Sequence, residues 1–190
     1  MILQYGKYLL NLLKGDLGIS ISRFPTPVWI VLQIAIPWTV GLMGTATIIS
    51  FFLGTVIGIG VAWKRNTRLA SFTVGLFIFV RSFPYFWLGL LLIYFLAFKL
   101  PIFPLGSAYT PQLQRGTMEF FLSVFRHAIL PALTIVISSM GAWILTMRNN
   151  MINVLAEEYI TVAQAKGLSL RRIKTLYAAK NAILPSITGF

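Results

Sequence analysis

Residues 37–63 read PWTVGLMGTATIISFFLGTVIGIGVAW and contain no charged side chain. An α-helix rises about 1.5 Å per residue, so this stretch is long enough to cross a hydrocarbon core of about 30 Å. Small residues recur at every fourth position of its second half, namely Ala46, Ser50, Gly54, Gly58 and Ala62. Such a stripe allows a second helix to approach closely in lipid. The stretch predicts a membrane span with a helix-packing face, and the lining of a transport path is the alternative role of the stripe.

The composition of the whole chain also indicates a membrane protein. Of its 190 residues, 57% are hydrophobic and only 11% are charged, and the mean hydropathy is +0.82. Soluble domains have about a quarter of their residues charged. The net charge is +12, but Lys and Arg cluster in loops, as membrane topology requires, so no nucleic-acid partner is predicted. The chain has no cysteine, which excludes disulfides and thiolate metal sites.

Two further apolar stretches follow, at residues 69–98 and 127–147. With residues 37–63 they predict three full spans of an all-α, multi-pass transmembrane helical bundle. Residues 1–36 contain a weak amphipathic helix near residues 5–13, and they are predicted to form an extracytoplasmic segment. Residues 37–190 are predicted to form the transmembrane domain.

The second stretch is interrupted by Arg81, Ser82, Phe83 and Pro84. Pro84 removes a helix hydrogen bond, so a bend or break is expected there. Arg81 is the one ionisable residue within a predicted span, where a charge is costly. Three partners are open to it: a carbonyl freed by Pro84, a neighbouring subunit, or a polar or anionic group of a substrate. Arg81, Ser82 and Pro84 are therefore candidates for lining a pathway.

Residues 155–185 read LAEEYITVAQAKGLSLRRIKTLYAAKNAILP and form a polar, basic island. Two helical patterns meet at Gly167, which is predicted to be a left-handed helix end, and Ser169 is predicted to cap the second helix. Helical spacing places one set of residues on a common face of the helix on each side of the turn. The two predicted faces are Leu155, Tyr159, Val162 and Ala163, and then Ile173, Leu176, Tyr177 and Lys180. The island is predicted to dock onto a partner.

The island resembles the cytoplasmic EAA loop of permease subunits in ABC importers. The residues 161–163, TVA, stand where many relatives have Glu-Ala-Ala, so the acidic residue is absent here. Gly167 takes the glycine position, and Leu184 and Pro185 take the Leu-Pro position that opens the next span. The Gly-to-Pro separation of 18 residues (185 − 167) resembles the dipeptide/oligopeptide branch, and so does the segment SFPYFWLG at residues 82–89.

The resemblance implies a subunit that forms half of a translocation pathway for dipeptides and oligopeptides and catalyses nothing itself. It implies ABC ATPase subunits that bind the ATP, a second permease subunit and an extracytoplasmic solute-binding protein, with no cofactor in this chain. Residues 148–182 would form the cytoplasmic coupling loop that receives the ATPase stroke. The contact residues implied are Glu158, Tyr159, Thr161, Ala163, Ala165, Lys166, Gly167, Leu168 and Ser169.

The distribution of basic residues predicts the orientation in a plasma (inner) membrane. Residues 64–68 hold three Lys or Arg, and residues 148–180 hold six, so both segments are predicted to be cytoplasmic. That orientation places the N-terminus outside and leaves the next span, from residue 183, truncated. The chain is therefore expected to be a fragment of a permease of about six spans.

Other functions are less well supported by the residues present. The four acids, Asp16, Glu119, Glu157 and Glu158, lie outside the predicted spans, so neither a paired-carboxylate catalytic site nor a metal site is predicted. An intramembrane enzyme, or a secondary transporter or channel without an ATPase, would need such groups within the spans. Oligosaccharide import by the same architecture stays open, because the spans carry no mark of the substrate.

Overall fold

The computed structural model describes residues 2–188, with the side chains of residues 2 and 3 excepted, and within that range it contains helices and no β-strand. The all-α prediction is confirmed. The α-helices are α1 (Ile2–Leu13), α2 (Val28–Trp63), α3 (Arg68–Arg81), α4 (Tyr85–Leu92), α5 (Met118–Leu155), α6 (Glu158–Ala165), α7 (Leu170–Arg172), α8 (Lys180–Ala182) and α9 (Leu184–Thr188). Two π-helical segments, Ile93–Lys99 and Ile173–Ala179, continue α4 and α7.

Two compact units divide the chain, residues 1–44 and residues 45–190. In the first unit, α1 agrees with the predicted amphipathic helix. The turn after it uses Gly15 and Gly18 at positive φ, and the Asp16 carboxylate accepts a hydrogen bond from the Gly18 N–H at 2.9 Å. The helix α2 begins at Val28 rather than near Pro37, because the apolar sequence continues backward from Pro37, which lies inside the helix. Residues 28–36 are therefore helical.

In the second unit, α2 packs closely against α5, as do α3 and α4. All five residues of the small-residue stripe are buried, which supports the packing role. A Cβ on Gly54 would lie 2.5 Å from the Trp143 Cβ, and a Cβ on Gly58 would lie 2.8 Å from both the Ile144 carbonyl oxygen and the Met147 Cβ. The opposite side of α2 exposes large apolar side chains such as Phe52 and Val56, as a lipid-facing surface requires.

Two polar side chains in this interface have different surroundings. The Ser139 hydroxyl donates to the Ile135 carbonyl at 2.6 Å, so the Ser50 hydroxyl donates to Ser139 across the helix pair at 2.8 Å. Thr55 is only 6% exposed, and its hydroxyl has no hydrogen-bond partner among the described residues. An unpaired buried hydroxyl costs stability, whereas the serine pair stabilises the interface.

We therefore expect Thr55→Val to raise the free energy of unfolding by about 1 kcal/mol, because valine keeps the shape and removes the unpaired hydroxyl. Ser50→Ala is the matched control, and its expected loss of about 0.6 kcal/mol is typical of a hydrogen bond between membrane helices. Thermal unfolding of both variants in one detergent measures the difference. A lower melting temperature for Thr55→Val would mean that its hydroxyl has a partner in the assembled protein.

The predicted interruption at Pro84 is confirmed, and it is sharper than a bend in one span. The helices Arg68–Arg81 and Tyr85–Lys99 meet at 97°. The Ser82 backbone N–H donates to the end of α3, and its hydroxyl donates to the Ile78 carbonyl at 3.0 Å. By length and composition, α2 and α5 can each cross a membrane, and the bent pair makes a third span if it is counted as one.

The third apolar stretch lies within a helix that is longer than predicted at both ends. The helix α5 begins at Met118, where the Thr117 hydroxyl accepts a hydrogen bond from the Phe120 N–H at 3.2 Å, and it ends at Leu155. Residues 118–126, ahead of the third apolar stretch, and residues 148–155, the first part of the predicted coupling loop, are thus helical. Amphipathic turns at each end extend the helix beyond its purely apolar part, residues 127–147.

Candidate functional site: the helix–turn–helix after α5

The helix–turn–helix of residues 156–183 begins with a break of two residues. The Ala156 and Glu157 N–H groups donate back to Asn153 and Val154, which ends α5. Glu157 then takes an extended conformation (φ −72°, ψ 145°), and α6 begins at Glu158, whose charge suits a helix N-terminus. This break separates Leu155 from α6, so the predicted face that joined Leu155 to Tyr159 is wrong.

The turn itself follows the prediction. Gly167 has φ +71°, its N–H donates to the Gln164 carbonyl at 2.9 Å, and the Leu168 N–H donates to the Ala163 carbonyl at 3.3 Å. This is the Schellman pattern of a glycine helix end. The Ser169 hydroxyl accepts a hydrogen bond from the Arg172 N–H at 3.4 Å, as predicted for a cap. The turn between α6 and α7 is therefore held by the backbone conformation of one glycine.

The buried faces of the two helices differ from the predicted ones. In α6, Ile160 and Ala163 are buried, while Val162 is 52% exposed. After α7 the chain becomes π-helical, and its i-to-i+5 spacing places Ile173 and Ala178 on one face. Leu176, which the 3.6-residue spacing placed with Ile173, is exposed instead.

These buried residues belong to one hydrophobic cluster that joins the helix–turn–helix to the ends of α2 and α5. The cluster consists of Ala62, Met147, Met151, Ile160, Ala163, Ile173, Ala178 and Ala182. Met147, Met151 and Ile173 have no exposed surface. The helix–turn–helix is therefore packed against the membrane helices along one whole face.

Two asparagines that the sequence patterns did not single out add polar contacts. The Asn181 amide donates to the Tyr159 hydroxyl at 3.0 Å and to the Tyr177 carbonyl at 2.9 Å, which joins α6 to the second helix. The Asn150 amide, on α5, donates to the Ala182 carbonyl and the Ser186 hydroxyl, both at 3.2 Å. The only sequence signal is that both are weak helix formers placed within helical segments.

Most of the predicted contact residues are exposed on the side away from this cluster. Ala163 is buried and Leu168 is half-buried, so these two support the turn from inside. The exposed members are Glu158, Tyr159, Thr161, Ala165, Lys166, Gly167 and Ser169. Leu184 is exposed and opens α9, whose Pro185 lies in its first turn. Next to Gly167, Ala165 and Ser169 have small side chains, so Lys166 is the one large side chain of the exposed turn.

The predicted pathway residues lie elsewhere. On α5, Gly141 packs against Phe77 of α3, and Thr134 packs near Gly89 in α4, so the break between α3 and α4 lies beside the middle of α5. Arg81, Ser82 and Pro84 are all exposed there. Pro84 has no N–H for the Val80 carbonyl, but the Phe83 N–H donates to that carbonyl at 3.2 Å, so the freed-carbonyl partner for Arg81 is not supported. No described residue forms a hydrogen bond with the Arg81 side chain.

A cleft of about 470 Å³ lies at the other end of α5, against the loop of residues 100–117. Glu119, Arg126 and His127 line it. The His127 Nδ1 lies 2.7 Å from the Ser123 carbonyl oxygen, which can only accept, so Nδ1 carries the proton. The described residues contain no cluster of three acidic or histidine side chains that could hold a metal ion.

Comparison with known proteins gives the family. Residues 54–190 match the protein family described as "binding-protein-dependent transport system inner membrane component". The matched range includes the close approach of α2 to α5 at Gly54 and Gly58 and the helix–turn–helix. The chain belongs to this family. It is therefore a permease component of a transport system and not an enzyme, and the predicted membrane location agrees with the family description.

Curated relatives cover nearly the whole of this permease chain. It is 33% identical over 188 residues to the oligopeptide transport system permease protein AppB of Bacillus subtilis (strain 168), a match that covers 98% of this chain and 58% of AppB. It is 34% identical to the probable D,D-dipeptide transport system permease protein DdpB of Escherichia coli (strain K12), covering 99% and 59%. The permease chain thus spans less than three fifths of the length of these relatives.

Proposed function

We propose that this permease is a membrane-spanning subunit of an ATP-driven importer of dipeptides and oligopeptides, with its helix–turn–helix as the docking surface for an ATPase subunit. The peptide assignment is supported by the relatives, which are named as oligopeptide and dipeptide permeases. The observation that carries the coupling role is the two-sided helix–turn–helix. One face is buried on α2 and α5, and the other is exposed around Gly167.

The packing suits a mechanical connection between a soluble ATPase and the membrane helices. A displacement of α6 acts on α5 through Ile160 and Ala163, which pack in one cluster with Met147 and Met151. Close-packed interiors transmit such displacements because they have little free volume. ATP is bound by the partner ATPase subunits in this proposal, and this chain forms half of the path with a second permease subunit.

The break between α3 and α4 is the proposed part of the chain that faces this path. It exposes Arg81 and Ser82 beside the middle of α5, and irregular backbone at membrane depth is tolerated where it lines a cavity or is buried in protein. Arg81 then meets either the second permease subunit or a polar group of the substrate. A solute-binding protein outside the membrane delivers the substrate to this path.

Single cysteines test the docking surface and the orientation together, because the chain has no cysteine of its own. We expect Thr161→Cys and Ala165→Cys, both at exposed positions, to cross-link to the ATPase subunit in the assembled complex. Gln112→Cys, exposed in the loop before α5, is the control and should react only with an impermeant reagent added from outside. Cross-linking from Gln112→Cys, or labelling of Ala165→Cys from outside, would contradict the proposed orientation.

The ATPase rate of the complete complex in lipid, with its solute-binding protein, tests the substrate. We expect a peptide mixture to stimulate the rate several-fold and an oligosaccharide mixture to leave it unchanged. Stimulation by sugars alone would replace the substrate class and keep the architecture. If no ATPase assembles with the chain, the importer proposal fails.

A further inference from the structure

A small cavity lies where α5 meets the end of α2 and the start of α3. Its volume of about 60 Å³ is several times the roughly 10–15 Å³ that a single buried water needs. Val61, Ala70 and Val74 form its apolar wall. Arg65, Ser71 and Arg148 supply its polar groups. The cavity therefore has room for a small polar group such as a phosphate.

The two arginines have no anionic partner within the described chain. Arg148 is half-buried, and its guanidinium donates to the Asn149 side-chain oxygen at 3.1 Å, which is a neutral acceptor. No carboxylate of residues 2–188 forms an ion pair with Arg65 or Arg148, and the cavity wall contains no acid. Partly burying the unpaired charge of Arg148 costs free energy, and an anion bound there would reduce that cost, with the exposed Arg65 on the cavity wall as a second cation.

We propose that this cavity binds the phosphate of an anionic phospholipid headgroup. The position fits, because Arg65 follows the end of the apolar helix α2 by two residues and Arg148 directly follows the buried Met147. A guanidinium group can donate two parallel hydrogen bonds to the oxygens of one phosphate, and basic cavities between membrane helices are known to bind such headgroups. The site itself does not depend on the proposed orientation of the chain, which decides only the leaflet that supplies the lipid.

The surface beside the cavity favours a lipid over free phosphate. Ser71, Gly75 and Ile78 follow each other at i, i+4 and i+7 on α3, so they share one face that runs from the cavity rim toward the membrane interior. A Cβ on Gly75 would meet nothing within 4 Å, and Ile78 is 50% exposed. This open strip, which is polar only at Ser71 on the cavity rim, is placed to hold the acyl chain of a lipid whose phosphate is in the cavity.

The test uses the complete transporter complex, delipidated in mild detergent and titrated with phosphatidylglycerol while its melting temperature is followed. We expect Arg65→Gln/Arg148→Gln to raise the half-maximal lipid concentration roughly tenfold, as the loss of charge-assisted hydrogen bonds predicts. Native mass spectrometry should show one phosphatidylglycerol fewer bound to this variant. Arg171→Gln/Arg172→Gln removes the same charge from exposed positions outside the cavity and should bind phosphatidylglycerol as the wild type does.

A second variant covers the case in which the arginine pair is needed for folding. Ser71→Phe keeps both arginines and adds bulk at an exposed position on the cavity rim, so it should also lose the bound lipid. Equal lipid binding by wild type and both cavity variants would overturn the proposal, and so would equal losses from the two arginine pairs. Stabilisation by inorganic phosphate but not by phosphatidylglycerol would overturn the lipid as the ligand. These readouts do not depend on transport, so they remain valid if the peptide substrate is wrong.

Discussion

Gly58→Ala is expected to lower the free energy of unfolding by about 1–3 kcal/mol, the usual cost of forcing an extra group into a packed interior. The added Cβ would lie 2.8 Å from the Ile144 carbonyl oxygen and 2.8 Å from the Met147 Cβ. Both atoms are held by the α5 backbone, so neither can move aside as the end of a flexible side chain can. The two helices must separate, and that separation loosens the cluster beneath the helix–turn–helix.

Gly60→Ala is the matched control, since it makes the same change in the same helix two residues later. A Cβ on Gly60 would meet nothing within 4 Å, and alanine favours the helix by about 1 kcal/mol over glycine. Thermal unfolding of the two variants in one detergent should therefore give shifts of opposite sign. If Gly58→Ala melts at or above the wild-type temperature, the close approach of α2 to α5 at that position is wrong.

The small-residue stripe shows how much of this fold could be predicted from sequence. A spacing of four residues places the small side chains on one face of a single helix, and the apolar composition around them excludes a face in water. The packing face could therefore be inferred without knowing which helix packs against it. The lipid environment also requires hydrogen-bonded helices, which is why the all-α assignment and the interruption at Pro84 were predictable. The ends of the helices could not be predicted. The apolar residues before Pro37 are helical in spite of that proline, and the polar residues at the start of α5 are compatible with either a helix or a loop.

The buried face of the helix–turn–helix could not be predicted for two physical reasons. The break at Ala156 and Glu157 resets the helical phase, and no glycine or proline marks it. The π-helical segment then changes the period, so Ala178 rather than Leu176 lies with Ile173. Gly167 and Ser169, in contrast, act through local backbone chemistry, and both were placed correctly.

Substitutions at Gly167 are expected to have the largest effect on coupling, because the direction of the chain after α6 depends on one backbone conformation. Gly167 has φ +71°, and a Cβ there would meet nothing within 4 Å, so a substitution acts through the backbone and not through crowding. Alanine pays about 1–2 kcal/mol for a left-handed conformation, whereas asparagine tolerates it better. Proline cannot adopt this φ and also lacks the N–H that donates to Gln164.

The peptide-stimulated ATPase rate of the complete complex should therefore fall in the order glycine, asparagine, alanine, proline at position 167. For Gly167→Pro we expect a loss of at least about tenfold, which corresponds to about 1.4 kcal/mol of strain in the docked turn. ATPase subunits should still co-purify with the asparagine variant. Gly116→Ala provides the control for left-handed strain itself, since Gly116 has φ +91° in the loop before α5 and no atom near its Cβ position. It should lower the melting temperature without reducing stimulation by peptides.

The graded series separates a coupling role from a purely structural one. If Gly167 only stabilises the fold, the peptide-stimulated ATPase rate should decrease in proportion to the melting temperature across all variants. A plot of the rate against the melting temperature should then place Gly116→Ala on the same line as the Gly167 variants. A coupling role predicts that the Gly167 variants lie well below that line, because the exposed surface around the turn is displaced while the cluster with Met147 and Ile173 stays packed. Normal stimulation of Gly167→Pro in an intact complex would show that the ATPase acts on another part of this permease.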